Sequence, residues 1–361
     1  MHLGPRCTTP ITDVALPKST IWWRSGLAIP SAAGERGLTD DRFAREEAVI
    51  TKAVVTGGAG FIGANLVDRL VDDDVETLVI DDLRTGKLER LAAARRTGRM
   101  SLHQMDIRAP ELHDVLARFE PEVVFHLAAQ ISVRTSVDDP VEDASINVVG
   151  TVNVLDAAMR AGTRRVVFAS SGGATYGAVD IVPTPETAER RPESPYGVSK
   201  KIADEYLRYF RDAHGLDYVS LGYANVYGPR QDPDGEGGVV AIFTQRMLRG
   251  ERCTIFGDGS QRRDYVFVED VTDACVRAAH TGGGVYLNIG TGRETSVLEL
   301  FEILKRLTGA TRTPEFADAK SGDVARSCLD PSAAKAHLDW EPWTPLEDGL
   351  RQTVEWFNAQ R

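Results

Sequence analysis

The chain has 361 residues, enough for one large domain or two lobes with sizeable cores, and an ordinary globular composition without low-complexity tracts. With 42 basic against 53 acidic residues the formal net charge is −11, which argues against nucleic acid or an anionic membrane as partner but leaves room for a local phosphate-binding pocket. No apolar run approaches the roughly 20 residues needed to cross a bilayer. The four cysteines, Cys7, Cys253, Cys275 and Cys328, show neither CxxC nor Cys/His ligand spacing, so free thiols in the reducing cytoplasm are expected and a metal site is not.

Residues 1–50 lack helical or strand periodicity. They mix Pro5, Pro10, Pro17 and Pro30 with Trp22 and Trp23, and Arg24 interrupts the apolar patch around residues 21–29. The expectation is a disordered extension or upstream sequence wrongly joined to the gene, with a natural start near Val49 or Ile50.

From residue 52 the rhythm becomes strand, helix, strand, helix. Ala53-Val54-Val55 is too short for a helix and is followed by glycines, hence a buried strand. Ile62, Leu66, Val67, Leu70 and Val71 then recur at helical spacing. Further strands are expected at 77–80, 101–105, 123–127 and 166–169, with helices at 109–119 and 141–161. This alternation predicts a doubly wound α/β (Rossmann) parallel sheet over about 51–235. After residue 215 the order loosens, and Gln231–Gly238 is rich in Gly, Pro and Asp. Ser296 with Glu299 reads as a capping box and Gly309 as the end of that helix. The expectation for 236–361 is a smaller C-terminal α/β lobe built from interleaved segments.

Thr56-Gly57-Gly58-Ala59-Gly60-Phe61-Ile62-Gly63 lies between the first strand and the first helix. Gly57, Gly60 and Gly63 give the spacing that lets a backbone turn tightly, approach a pyrophosphate and pack helix against strand, with the helix N-terminus facing the phosphates. A glycine motif alone is weak; strand before and helix after make it a dinucleotide site. The second strand ends in Asp81, where a carboxylate accepts from the adenine ribose and repels a 2′-phosphate, which favours NAD over NADP. Arg84 pulls the other way. Asp106, after the third strand, is a candidate adenine contact.

Tyr196 and Lys200 form a YxxxK pair on one helix face. A phenol is a poor base at neutral pH, and a neighbouring ammonium is expected to lower its pKa. A surface Tyr-Lys pair is the bland alternative. Upstream, a strand ending in Ser170-Ser171 offers a hydroxyl at the same edge, with the choice between the two serines open.

With these segments in view, the chain resembles the extended short-chain dehydrogenase/reductase superfamily, and within it the nucleotide-sugar epimerases of the UDP-glucose 4-epimerase type. The carrying segments are TGGAGFIG (56–63), HLAAQISVRTSVDDP (126–140), NVVGTVNVLDAA (147–158), PYGVSKK (195–201), YANVYGPRQDP (223–233), RRDYVFVEDV (262–271) and NIGTG (288–292). The likeness spans roughly 52–358. It implies a retained NAD, contacted by Phe61, Ile62, Ile107, Leu127, Ala128 and Ala129 besides the glycines, Asp81, Asp106 and Lys200. It implies that Tyr196 takes the proton of a sugar 4-hydroxyl while hydride leaves carbon 4, that Lys200 holds Tyr196 as phenolate, and that Ser171 bonds the reacting oxygen. The 4-keto sugar then turns over and takes the hydride back. Asn225, Val240, Arg263, Lys320 and Asp323 are implied to hold a UDP-hexose, and the two long helices to form a homodimer.

Several positions depart from the family pattern. The serine segment reads SSGGATYG, one residue longer than the commoner form; Gly222 stands where an arginine is frequent, and Lys320 where Arg is common. Ser327 falls at the position limiting room around carbon 2 of the sugar, where a small residue admits an N-acetyl group. Competing reactions on this scaffold are 4,6-dehydration, decarboxylation and reduction. The first two use a carboxylate beside the catalytic hydroxyl, which Gly172-Gly173-Ala174 does not supply. A non-catalytic dinucleotide sensor, the competitor from another class, has no need of Tyr196 and Lys200 together.

Overall fold

The computed structural model describes residues 50–234, 238–319 and 324–361. The expectations for 1–49, Lys320 and Asp323 lie outside these residues. A seven-stranded parallel sheet forms the centre: β1 (Lys52–Thr56), β2 (Glu76–Asp81), β3 (Met100–Gln104), β4 (Val123–His126), β5 (Arg165–Ser171), β6 (Asp217–Tyr223) and β7 (Val285–Ile289). Their order is β7-β6-β5-β4-β1-β2-β3, so the chain winds one way through β3 and the other way from β4.

The short apolar runs form strands because both faces of the sheet are covered. Ala53 and Val55 enter one core with Val79, Val123 and Phe125, while Val54 enters the other with Leu78, Ile80 and Val124. The period of two divides each strand between two apolar layers. The helices Phe61–Asp72 and Val268–His280 cover the first face; Leu112–Phe119, Gly150–Arg160 and Pro195–His214 cover the second.

The structure changes the expected elements in three places. The third strand begins one residue early, at Met100. The single helix expected over 141–161 is broken: Pro140–Ala144 is α-helical, Ser145–Val149 is a π-helical turn, and Gly150–Arg160 resumes the α-helix. Such turns recur where a side chain must be aimed out of the regular ladder. The loosening expected after 215 is overturned by β6, buried along its whole length, and by β7. Ser220 and Gly222 interrupt the apolar signal of β6, yet the Ser220 hydroxyl is satisfied by Asp204 at 2.5 Å.

Among the described residues beyond β6, short strands pair 225–227 with 265–267, 262–263 with 295–296 and 326–327, and 254–256 with 315–317. Their shared core contains Tyr227, Phe243, Phe267, Phe301 and Leu350. The capping box at Ser296 forms as the spacing implies, and Gly309 ends that helix at φ 70°. Asp264, fully buried, accepts from Thr291 N at 2.9 Å and from Gly292 N and Leu329 N at 3.3 Å. It thus ties the 290–292 loop and the 326–329 segment to the strand carrying Arg263.

Candidate active site

Because the sheet is parallel and its winding reverses between β1 and β4, a crevice opens at the carboxyl ends of these two strands. Gly57 turns there with φ 70°, and a Cβ on it would lie 2.7 Å from Ala128 N. A Cβ on Gly63 would overlap the Gly57 carbonyl. Two backbones and a helix therefore meet at distances only glycine allows. Gly60 is the N-cap of the Phe61–Asp72 helix and no side chain caps it, so the first-turn amides of Phe61, Ile62 and Gly63 head a helix whose dipole favours an anion. This backbone cradle fits a dinucleotide pyrophosphate.

Asp81, 7% exposed, accepts from the amides of Ala59 and Leu83, both at 2.9 Å, so it also braces the glycine loop; burial raises its pKa. Asp106 is held below the usual carboxylate range by Arg108, which donates to it at 2.7 Å. Arg84 lies among carboxylates, 3.3 Å from Glu142, 3.4 Å from Asp82 and 3.7 Å from Asp106. Ile107 is buried against Gly150 in the second core. Leu127, Ala128 and Ala129 are half-buried on the β4 side of the crevice.

On the next strand over, Ser171 ends β5 and caps a short helix by accepting from Ala174 N at 3.2 Å. The Pro195–His214 helix is started by Ser194, which accepts from Gly197 N, and by Pro195 at its first turn. This entry sets Tyr196 in the first turn, where its phenol comes close enough to Ser171 for that hydroxyl to favour the phenolate. Ser170 is buried, and its hydroxyl has no partner.

The expected lowering of the Tyr196 pKa is overturned. Burial pushes it up to about 12, against the hydrogen bond from Ser171, and the Asp143 carboxylate adds to the rise. Lys200 does not reach the phenol. Its Nζ donates to Ala169 O at 2.8 Å and lies 5.9 Å from the Tyr196 ring centroid. Lys200 is itself lowered to about 8 by burial, against the opposing pull of Asp204 and Asp143.

Several residues missed by sequence reasoning complete the site. Asp143, 1% exposed, accepts from Gln130 Nε2 and Asn147 Nδ2 at 2.9 Å each and from the Ser199 hydroxyl at 2.7 Å. Asn147, on the π-helical turn, also accepts from Gln130 N at 2.9 Å. Asp143, Asn147 and Thr151 recur every four residues, and this buried polar stripe was the readable signal.

Of the positions carried by resemblance, Val240 is buried in the core with Phe243 and Tyr227, so its side chain serves packing. Asn225 is exposed at the start of its strand, and Arg263 sits on the strand beside Ser327. A cavity of about 440 Å³ lined by Phe256, Gln261, Arg262, Glu294 and Arg326 opens in this region. A Cβ on Gly173 would lie 3.7 Å from Ser327 Oγ, so these two small residues face each other. The Tyr286 hydroxyl occupies the space of a side chain at 222, and the Arg190 guanidinium stacks on the Tyr286 ring at 4.4 Å.

Residues 53–290 match the NAD dependent epimerase/dehydratase family. The chain is 49% identical over 307 residues to the UDP-glucose 4-epimerase of Mycolicibacterium smegmatis, covering 85% of this chain and 98% of that one. Among solved structures, the UDP-glucose 4-epimerase of Thermotoga maritima with UDP-glucose matches with a TM-score of 0.83 and 46% identity, over 86% of this chain and 99% of that one. The UDP-glucose 4-epimerase of Thermus thermophilus in complex with NAD matches with a TM-score of 0.80 and 39% identity, over 86% and 100%.

The buried ammonium makes a prediction about stability. Lys200 falls from the ordinary 10.5 to about 8 in the folded protein, so between these values the unfolded chain binds more protons. The penalty is therefore complete below about 8 and fades as pH rises toward 10.5. Any advantage of Lys200→Met over the wild type in urea unfolding should shrink by roughly 3 kcal/mol across that window. A difference that does not change with pH would refute the buried charge.

Proposed function

The chain belongs to the NAD dependent epimerase/dehydratase family, and on that premise we propose that it interconverts UDP-hexoses at carbon 4 with a retained NAD. The observation that carries this reading is the approach of the Ser171 side chain to the Tyr196 phenol at the carboxyl edge of the sheet, with Lys200 one turn further along the same helix. NAD supplies an acceptor, and then a donor, for the hydride of carbon 4. The chain does the rest. As the phenolate, Tyr196 receives the proton of the 4-hydroxyl and returns it to the oxygen when the hydride comes back, and Ser171 donates to the oxygen that becomes a carbonyl. Lys200, lowered by burial but held toward its cationic form by Asp204 and Asp143, lies 5.9 Å from the Tyr196 ring centroid.

Gly172-Gly173-Ala174 leaves no carboxylate beside Ser171, which supports epimerisation over elimination of water or carbon dioxide. Asp81 and the carboxylates around Arg84 support NAD over NADP, since a 2′-phosphate would meet negative charge. Arg263 is assigned to the diphosphate and Asn225 to its neighbourhood, with the cavity at Phe256 taking the nucleoside. The mutual approach of Gly173 and Ser327 supports a sugar site wide enough for an N-acetyl group. Among the described residues no helix is long and apolar enough to cross a membrane, and the enzyme is assigned to the cytoplasm.

A homodimer is part of the proposal. Val198, Ile202, Tyr206 and Tyr209 form one stripe on the Pro195–His214 helix, 38–54% exposed, while Ala203, Leu207 and Phe210 face the core. Val137, Val141 and Val149 on the preceding helical segments are 60–77% exposed. Stripes of this kind on two mutually packed helices suit a second copy of the same chain.

Three outcomes follow. Purified protein incubated with UDP-galactose, without added cofactor, should yield UDP-glucose, and Tyr196→Phe should slow this about 10³-fold. Retention of NAD without turnover of any UDP-hexose would discard epimerisation. UDP-N-acetylglucosamine should also turn over, and Ser327→Tyr should remove that activity while sparing UDP-glucose; a wild type confined to UDP-glucose refutes the wide site. In sedimentation the wild type should be a dimer and Ile202→Glu a monomer, whereas a monomeric wild type at micromolar concentration rules the interface out.

A further inference from the structure

His126, the last residue of β4, is fully buried and has no part in the chemistry assigned above. Its Nδ1 lies 2.7 Å from Thr56 Oγ1 and its Nε2 lies 3.0 Å from Thr151 Oγ1. The direction of each bond follows from counting hydrogens. Thr151 Oγ1 donates its one hydrogen to the Asn147 carbonyl at 2.7 Å, so it can only accept from His126, and Nε2 carries the proton. Nδ1 is then an acceptor and Thr56 Oγ1 donates to it. Thr56 Oγ1 in turn accepts from Ala128 N at 3.2 Å. Burial, with Lys200 contributing, lowers the imidazole pKa to about 3, so the ring is neutral as this order requires.

The two ends of the chain hold the same loop. Ala128 N is bound by Thr56, and Gln130 N is bound at 2.9 Å by the side chain of Asn147, whose amide returns 2.9 Å to the Gln130 carbonyl. Hydrogen bonds thus run from Ala128 through Thr56, His126 and Thr151 to the main-chain carbonyl of Asn147, whose side chain holds Gln130, so the two anchors meet in one residue. It frames residues 127–130, which approach Gly57 so closely that no Cβ fits between them.

We infer that His126 is a positioning residue that couples both anchors of the 127–130 loop and thereby sets the wall of the dinucleotide crevice. This rests on the cofactor reading above but not on the sugar or the reaction. Chains of hydrogen bonds in a dry interior polarise one another, so breaking one link should weaken the others. Two links are far from the amide they influence: Thr151 touches neither Ala128 nor its acceptor, and Thr56 touches neither Gln130 nor Asn147.

The test uses Thr56→Val, Thr151→Val, their combination and His126→Phe, in the full chain stripped of dinucleotide and reloaded with NAD. In stripped protein, Thr151→Val should speed amide hydrogen exchange at Ala128, and Thr56→Val at Gln130, each about tenfold. In reloaded protein, NAD release should accelerate by a similar factor, with the double variant well short of the product of the singles. In the His126→Phe background Thr151→Val should no longer affect Ala128. Should His126→Phe fail to fold, the threonine cycle alone decides. Cross-effects absent from both amides, or threonine effects on NAD release that simply multiply, overturn the inference. A wild type unable to hold NAD would instead strike the cofactor reading, and exchange in the stripped protein would still judge His126.

Discussion

The hardest condition this fold meets is the burial of the Lys200 ammonium, 3% exposed, one turn along the helix from Tyr196. A buried charge is tolerated only with partners, and the partners must be held in turn. Asp204, one turn on, is fixed by Arg190 and Ser220. Asp143 is fixed by Gln130, Asn147 and Ser199. Those requirements reach into five separate segments of chain. The π-helical turn brings Asn147 within reach of both Asp143 and the 127–130 loop.

The second constraint is steric. At the switch point the glycine loop, the β4 loop and the first helix approach one another with no space for side chains. The 229–232 segment is fastened over the same helix. Arg230 donates to the Ala64 carbonyl at 3.0 Å and pairs with Asp68, Asn65 donates to the Pro229 carbonyl at 3.3 Å, and Asp232 pairs with Lys87 at 2.7 Å. These ties join the dinucleotide-binding half to the segment that leads into the small sheets.

Much of this was legible in the sequence because it rests on local pattern. Apolar runs of the right length flanked by glycine gave β1, β2 and β4, and their alternation with helices gave the parallel sheet. Gly57, Gly60 and Gly63 announced a backbone that must approach something closely. The four-residue spacing of Tyr196 and Lys200 put them on one helix face, and Ser171 ended the strand beside them. β6 stayed hidden because Ser220 is polar yet satisfied by a residue 16 positions away.

By itself the sequence determined the doubly wound architecture, the glycine cradle and the placing of Tyr196 and Lys200 on one helix face, since each depends on periodicity or on backbone freedom at a glycine. Tertiary structure alone decided the electrostatics. Lys200 turns to a carbonyl of β5, and burial raises the Tyr196 pKa against the pull of Ser171, with the Asp143 carboxylate adding to the rise. It also decided that Tyr286 fills the space beside Gly222 with Arg190 stacked on its ring, and that His126 is buried between Thr56 and Thr151. Each of these depends on which distant group ends up at 3 Å, and spacing along the chain carries no record of that.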